Sequence, residues 1–253
     1  MANANKDQKS DQKSKKGTWT EGFGSLVLAV GIALFIRWLF VEAYVIPSGS
    51  MLPTLLIRDH IFVNKLIYGI RVPFSKTWIA EFREPTRGEV IVFRFPIEEG
   101  TFFIKRVVGV PGDRVEYEDG KLVINGEEVE VRAPSDPDAL EWVRDKDLQI
   151  GTKDDFVHFE EVLGEHPHSV LLRRGQYHQG TGGEVVIPED KLLVMGDNRD
   201  NSNDSREWGF VPTENVLGRA MFVWLSCEET LPVLSFLCNP LTLRWNRFFD
   251  TIE

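Results

Sequence analysis

From Phe23 to Ile36 the chain carries no charge and little polarity, which leaves it few ways to fold. Continued past Arg37 through Trp38-Leu39-Phe40-Val41, the run reaches about 19 residues, enough to cross a bilayer as a helix. Arg37 lies near the end of the run, where a long side chain can reach the interface. Trp19 and Trp38 stand where interfacial aromatics belong. Ahead of the run, Met1–Gly17 offers Lys, Gln, Ser and Asn with no large apolar residue beyond Met1, a composition that cannot bury a core. Its five lysines, Lys6, Lys9, Lys13, Lys15 and Lys16, predict a cytoplasmic start, so the chain beyond the run lies on the outer side. A cleaved secretory leader would exit into small residues, whereas this run exits into Arg37-Trp38-Leu39-Phe40-Val41-Glu42. A buried core helix is disfavoured by the lysine-rich flank. The expected layout is a cytoplasmic disordered tail over 1–21 and one transmembrane helix over 22–42.

Charge separates the tail from the rest. Residues 1–21 set five lysines against Asp7, Asp11 and Glu21, a balance of +2 within a total of -10, which leaves -12 on the remainder. So acidic a body lacks the basic face of a nucleic-acid binder, and no nucleic-acid partner is expected.

After Tyr44 the pattern changes to short apolar runs between turns. Ile61-Phe62-Val63, Val90–Phe95, Phe102–Val108, Leu192–Met195 and Ala220–Leu225 are rich in β-branched and aromatic residues and read as strands. Asn125-Gly126 after Leu122-Val123-Ile124 signals a hairpin. The fold class is therefore mainly β: a membrane-anchored catalytic β domain with an inserted smaller β/loop subdomain. The core is expected at 43–126 and 188–226, with the insertion at 127–187, where Asp, Glu, Gly and His replace strong apolar runs. His166 and His168 flank Pro167; without a carboxylate or Cys set beside them they read as a surface turn, and no metal is expected. In the segment 227–253, Pro232 and Pro240 argue against a second span. Leu241, Trp245, Phe248 and Ile252 fall on one helical face, suited either to a membrane interface or to the protein's own core. Cys227 and Cys238, 11 apart, can pair in an oxidising compartment, but spacing alone leaves the pairing open.

The chemistry concentrates in three segments. Pro47-Ser48-Gly49-Ser50-Met51-Leu52-Pro53-Thr54 places a serine just outside the apolar run, in a turn stiffened by Pro47 and Pro53. Gly49 lets the backbone bend and come close to a substrate. A serine hydroxyl needs a base to become a nucleophile. Phe103–Asp113 offers one. If Phe102–Val108 is a strand, Lys105 shares a face with Phe103 and Val107, while Ile104, Arg106 and Val108 share the other. Burial among such neighbours lowers a lysine pKa, as a general base requires. The competing reading is a Lys-Arg pair on a solvated strand edge. The third segment, Met195–Gly209, is a dense polar turn between two strands. It reads either as a solvated loop or as a support, with Ser202 orienting a lysine and Asp197 or Asp204 paired with Arg106 or Arg206.

Together the three segments resemble bacterial type I signal peptidase, the membrane-bound leader peptidase. The resemblance covers Tyr44–Phe62, Arg87–Phe95, Phe103–Val115 and Met195–Pro212, in the family's order. It implies Ser50 as nucleophile and Lys105 as general base. It further implies that the Ser48 hydroxyl helps the Ser50 amide form the oxyanion hole, and that Ser202 hydrogen-bonds the lysine. Asp197, Arg106, Asp204 and Arg206 correspond to structural ion-pair positions. The family cleaves secretory preproteins after small residues at -1 and -3 and needs neither metal nor cofactor. Its partners are those preproteins and membrane lipid. Some members carry two N-terminal spans; this chain shows one, which implies a single-pass protein of the bacterial inner membrane with its catalytic domain outside. Signal peptidases of eukaryotes use His as base, but the Lys105 segment groups this chain with the Lys type, and His60 has no catalytic role. Two rivals are weaker. A Ser/Lys self-cleaving repressor needs a DNA-binding start, which residues 1–21 cannot form. A tethered binding protein has no use for both Ser50 and Lys105.

Overall fold

The computed structural model describes residues 19–72, 75, 77–98, 100–136, 138–164, 166–175, 179–231 and 237–252. The expected tail over 1–21 thus lies almost wholly outside the described residues. Helix α1 spans Trp19–Leu39, and the chain is extended from Val41. Phe23, Leu26, Val27, Leu28, Val30, Ile32 and Leu34 on it are all exposed. Among the described residues, no helix is long and apolar enough to cross a membrane.

Residues 39–253 form one compact unit. In chain order its strands are β1 (Val41–Val45), β2 (Asp59–Asn64), β3 (Gly69–Arg71), β4 (Trp78–Glu81), β5 (Val90–Arg94), β6 (Phe102–Gly109), β7 (Arg114–Glu118), β8 (Lys121–Ile124) and β9 (Glu127–Glu128). They continue with β10 (Val131–Arg132), β11 (Phe156–Leu163), β12 (His166–Arg173), β13 (Val185–Val186), β14 (Lys191–Met195), β15 (Val211–Pro212), β16 (Val216–Ser226) and β17 (Asp250–Thr251). The fold is mainly β. The largest sheet runs β1-β2-β16-β5-β6-β14-β15, with β17 added beside β16. Register shifts interrupt the pairing of β16 with both β2 and β5; such bulges bend a strand and increase its twist. A four-stranded sheet, β13-β7-β8-β9, takes strands from either side of position 127, and β10-β11-β12 form a sheet of their own. Asn125 and Gly126 both have positive φ, 54° and 84°, as the two-residue hairpin turn between β8 and β9 requires.

Strand β6 lies between β5 and β14 and divides its side chains as the alternation predicts. Phe103 and Val107 pack with Ile91, Phe93 and Val194. Ile104 joins Met51 and Val92, and Val108 joins Val115, Tyr117 and Met195.

Two expectations need correction. His166 and His168 lie on β12 rather than in a surface turn, and His168 is buried, its Nε2 3.4 Å from Glu161 Oε2. The carboxylate that His168 meets is brought opposite it by the pairing of β11 with β12. The C-terminal segment is not one helix either. It breaks into 3-10 turns at Pro240–Thr242 and Trp245–Arg247 and ends in β17. Ile252 packs in the core while Leu241 and Trp245 stay exposed, so the supposed single face is split. The competing pull comes from arginines. Arg247 reaches Thr54 O and Asp59 Oδ2, and Arg244 reaches Ile57 O and Ser226 Oγ. Cys227 and Cys238 form a disulfide with Cα atoms 5.7 Å apart.

Candidate active site

Ser50 follows β1 in a tight turn, and Lys105 sits in the middle of β6. Lys105 Nζ donates to Ser50 Oγ at 2.5 Å. Both residues are largely buried, at 4% and 7% exposure. Burial pulls the Lys105 pKa down from its ordinary value to about 8, against the opposing pull of Asp204 and Asp197. A lysine so placed is a usable base near neutral pH. Ser48 Oγ stands 3.4 Å from Ser50 Oγ.

The turn that carries Ser50 is shaped by close approach. A Cβ on Gly49 would stand 2.4 Å from Asp147 O, so its glycine admits the backbone of residues 127–187 rather than a substrate alone. A Cβ on Gly196 would stand 2.4 Å from Ser50 O and 2.3 Å from Ser202 Oγ. The polar turn after β14 is therefore packed directly against the serine's own peptide. Asn198 completes that contact, its N donating to Ser50 O at 3.1 Å and its Nδ2 to Gly49 O at 3.0 Å.

Two buried ion pairs hold the turn in place. Arg106 donates Nε to Asp197 Oδ1 at 2.8 Å and Nη2 to Oδ2 at 2.7 Å, and its Nη1 donates to Gly88 O. Thr54 Oγ1 donates to Asp197 Oδ2 at 2.6 Å. Burial pushes the Asp197 carboxyl up, but the Arg106 guanidinium outweighs it and holds the pKa below the ordinary value. Arg206 grips Asp204 with Nε and Nη2, both at 2.8 Å, and Gly196 N donates to the same carboxylate. Asp204 is likewise pushed up by burial and held low by Arg206. The open pairing thus resolves as Arg106 with Asp197 and Arg206 with Asp204.

Ser202 is the exception. Its Oγ is buried, and no hydrogen bond to Lys105 forms. It lies beside Asp204, whose carboxyl it helps hold low, in a looser contact than a well-formed hydrogen bond. Ser48, Ser50, Lys105 and Ser202 all line one cleft of about 750 Å³, together with Phe103, Gln149 and Gln179. Thr54, Asn198 and Arg199 all fall within the chemistry-bearing segments, yet nothing in their spacing marks them as partners. Among the described residues no group of His, Cys, Asp and Glu is placed to hold a metal.

The family model described as "Signal peptidase, peptidase S26" matches residues 19–225. Signal peptidase I of Pseudomonas fluorescens is 41% identical over 82% of this chain and 72% of its own. That of Pseudomonas aeruginosa is 39% identical over the same shares, 82% and 72%. Signal peptidase I of Rickettsia bellii strain OSU 85-389 is 34% identical over 97% of this chain and 90% of its own. This chain belongs to the peptidase S26 signal peptidases, serine hydrolases that remove signal peptides.

Proposed function

We propose that the chain cleaves signal peptides from secreted preproteins by an acyl-enzyme route, with Ser50 as nucleophile and Lys105 as general base. The observation that carries this reading is the 2.5 Å contact from Lys105 Nζ to Ser50 Oγ at a buried lysine. Neutral Lys105 takes the Ser50 proton as Oγ attacks the scissile carbonyl. The carbonyl oxygen becomes an oxyanion, to be held by the Ser50 N–H and the Ser48 hydroxyl. As the tetrahedral intermediate collapses, protonated Lys105 gives its proton to the leaving amine. Water, deprotonated by Lys105, then releases the acyl group. Preorganised donors of this kind are usually the largest electrostatic contribution. We assign Ser202 as the hydroxyl to which Lys105 Nζ turns once Ser50 is acylated. Arg106–Asp197 and Arg206–Asp204 are assigned as the frame around them. The preferred substrates carry small residues at -1 and -3.

The base assignment fixes the pH dependence. Only unprotonated Lys105 is active, so with chemistry rate-limiting kcat/KM should fall about tenfold per pH unit below about pH 8 and level off above it. A rate that stays flat across that limb, with Ser50→Ala inactive, would remove Lys105 as the base.

Signal peptidases of bacteria act at the membrane, and we place the apolar run from Phe23 to Val41 across it as a single pass, with the chain beyond it on the outer side. The support is the sequence run itself, about 19 residues from Phe23 to Val41 with Arg37 as its one charge. The exposed Leu26, Val27 and Leu28 are consecutive, so the apolar surface extends around the helix, unlike that of a helix packed by one face. Leu241, Trp245 and Phe249 of the C-terminal segment, exposed at 93%, 70% and 72%, are assigned to lipid. Replacing these three by Ser should slow cleavage of a vesicle-embedded preprotein severalfold. Cleavage of a short soluble peptide should be unchanged. Equal rates for wild type and variant on both substrates would exclude the lipid contact.

A further inference from the structure

The reading of Ser50 as nucleophile leaves residues 127–187 without a role, yet they are bonded to the catalytic turn at every step from Asp197 to Asp200. Leu171 N of β12 donates to Asp197 O at 2.9 Å, and Leu171 pairs with Asn198 as a parallel bridge. Arg173 N donates to Asp200 Oδ2 at 2.7 Å. Between these backbone ties, Arg199 extends a fully buried guanidinium to Glu161 of β11. Its Nη1 donates to Oε1 at 3.0 Å and its Nη2 to Oε2 at 2.5 Å. Both side chains are 1% exposed.

Such a pair is weak evidence for stability, because taking two charges out of water offsets most of their attraction. What a two-pronged pair does supply is a fixed geometry. Here the geometry is passed on by the residue next to Arg199. Asn198 Nδ2 donates to Gly49 O, and Asn198 N to Ser50 O. The Gly49–Ser50 peptide is planar, so fixing its carbonyl oxygen also fixes the direction of the Ser50 N–H.

We infer that Glu161, on the inserted hairpin, is a positioning residue for the oxyanion hole. It holds Arg199, and through Asn198 sets the direction of the Ser50 N–H. The hairpin of β11 and β12 is then part of the catalytic machinery's support rather than a peripheral addition. The inference rests on Ser50 being the nucleophile.

The test uses the full chain in detergent, a purified preprotein as substrate, and an active-site acylating reagent to count competent enzyme. Glu161→Gln and Arg199→Lys should each lower kcat per competent site about tenfold or more, since small misalignments of reacting groups have effects of this order. KM should change by less than about twofold, because ground-state binding is untouched. The charges that act most on Lys105 are Asp204, Asp197 and Arg206, and all three stay in place, so the acid limb should keep its position while its plateau drops. The double variant should be no worse than the poorer single. Glu160→Gln, which alters the neighbouring pair with Arg132, should leave the plateau unchanged. Unchanged kcat per competent site in Glu161→Gln overturns the inference, as does a rise in KM alone. If Glu161→Gln does not accumulate as folded protein, Arg199→Lys decides by the same criteria. Should Ser50→Ala still cleave, the nucleophile reading fails first, which a drop confined to Glu161→Gln cannot mimic.

Discussion

Lys105→Met is expected to abolish preprotein cleavage and, at pH 7, to make the protein more stable. The loss of activity should be on the order of 10^5-fold, and Ser50→Ala should be as severe, because members of one catalytic unit fail together. The double variant should be no less active than either single. The gain in stability follows from linkage. Lys105 is buried, and its folded pKa of about 8 lies below its ordinary 10.5. Between those two pH values the unfolded chain holds a proton that the folded chain lacks, so folding stability rises with pH across that window. Below about pH 8 the folded protein carries the ammonium at a penalty of roughly 3 kcal/mol. Met fills similar space without charge and removes the penalty. It also gives up the Ser50 hydrogen bond, which offsets about 1 kcal/mol. A net gain of roughly 2 kcal/mol is expected at pH 7 by denaturant unfolding, shrinking as the pH rises above 8. If Lys105→Met shows no gain at pH 7, the lysine is not held at a lowered pKa.

Asp197→Ala should be the most damaging single change outside the Ser50–Lys105 pair. Asp197 and Arg106 are each 1% exposed and joined by two hydrogen bonds. Removing the carboxylate leaves a buried guanidinium with one charge uncompensated, a loss of about 3–5 kcal/mol. It also frees Thr54 Oγ1 beside the nucleophile turn. Thermal unfolding should show a large fall in midpoint, and cleavage should fall with it. Asp197→Asn, which keeps the shape, should lose less. Glu184→Ala, breaking the exposed pair with Arg114, should leave the midpoint where it was. Equal effects of Asp197→Ala and Glu184→Ala would mean that the Arg106 pair is not under load.

Much of the β scaffold was legible because it is written locally. The alternation in Phe102–Val108 assigned both faces of β6 correctly, and Asn125-Gly126 marked its hairpin, since period and turn chemistry depend on neighbouring residues alone. The failures have the opposite character. Leu241, Trp245, Phe248 and Ile252 matched a helical period, but tertiary bonds from Arg244 and Arg247 to residues 54–59 overrode it. His168 looked solitary because its carboxylate, Glu161, arrives across a strand pair. Gly49 was read as freedom to meet a substrate, and the approach of Asp147 O to the same glycine was not legible.

By itself the sequence determined the main strands of the large sheet, the faces of β6, the residue types available for acyl transfer and, through its resemblance, the family. Only the tertiary structure decided that Nζ of Lys105 meets Oγ of Ser50 across 55 positions. It also decided which aspartate pairs with which arginine, that Cys227 bonds Cys238, and that Arg199 turns to Glu161. Each of these depends on strand register and close packing between segments far apart in the chain, and a distance between such segments is not a property of any one of them.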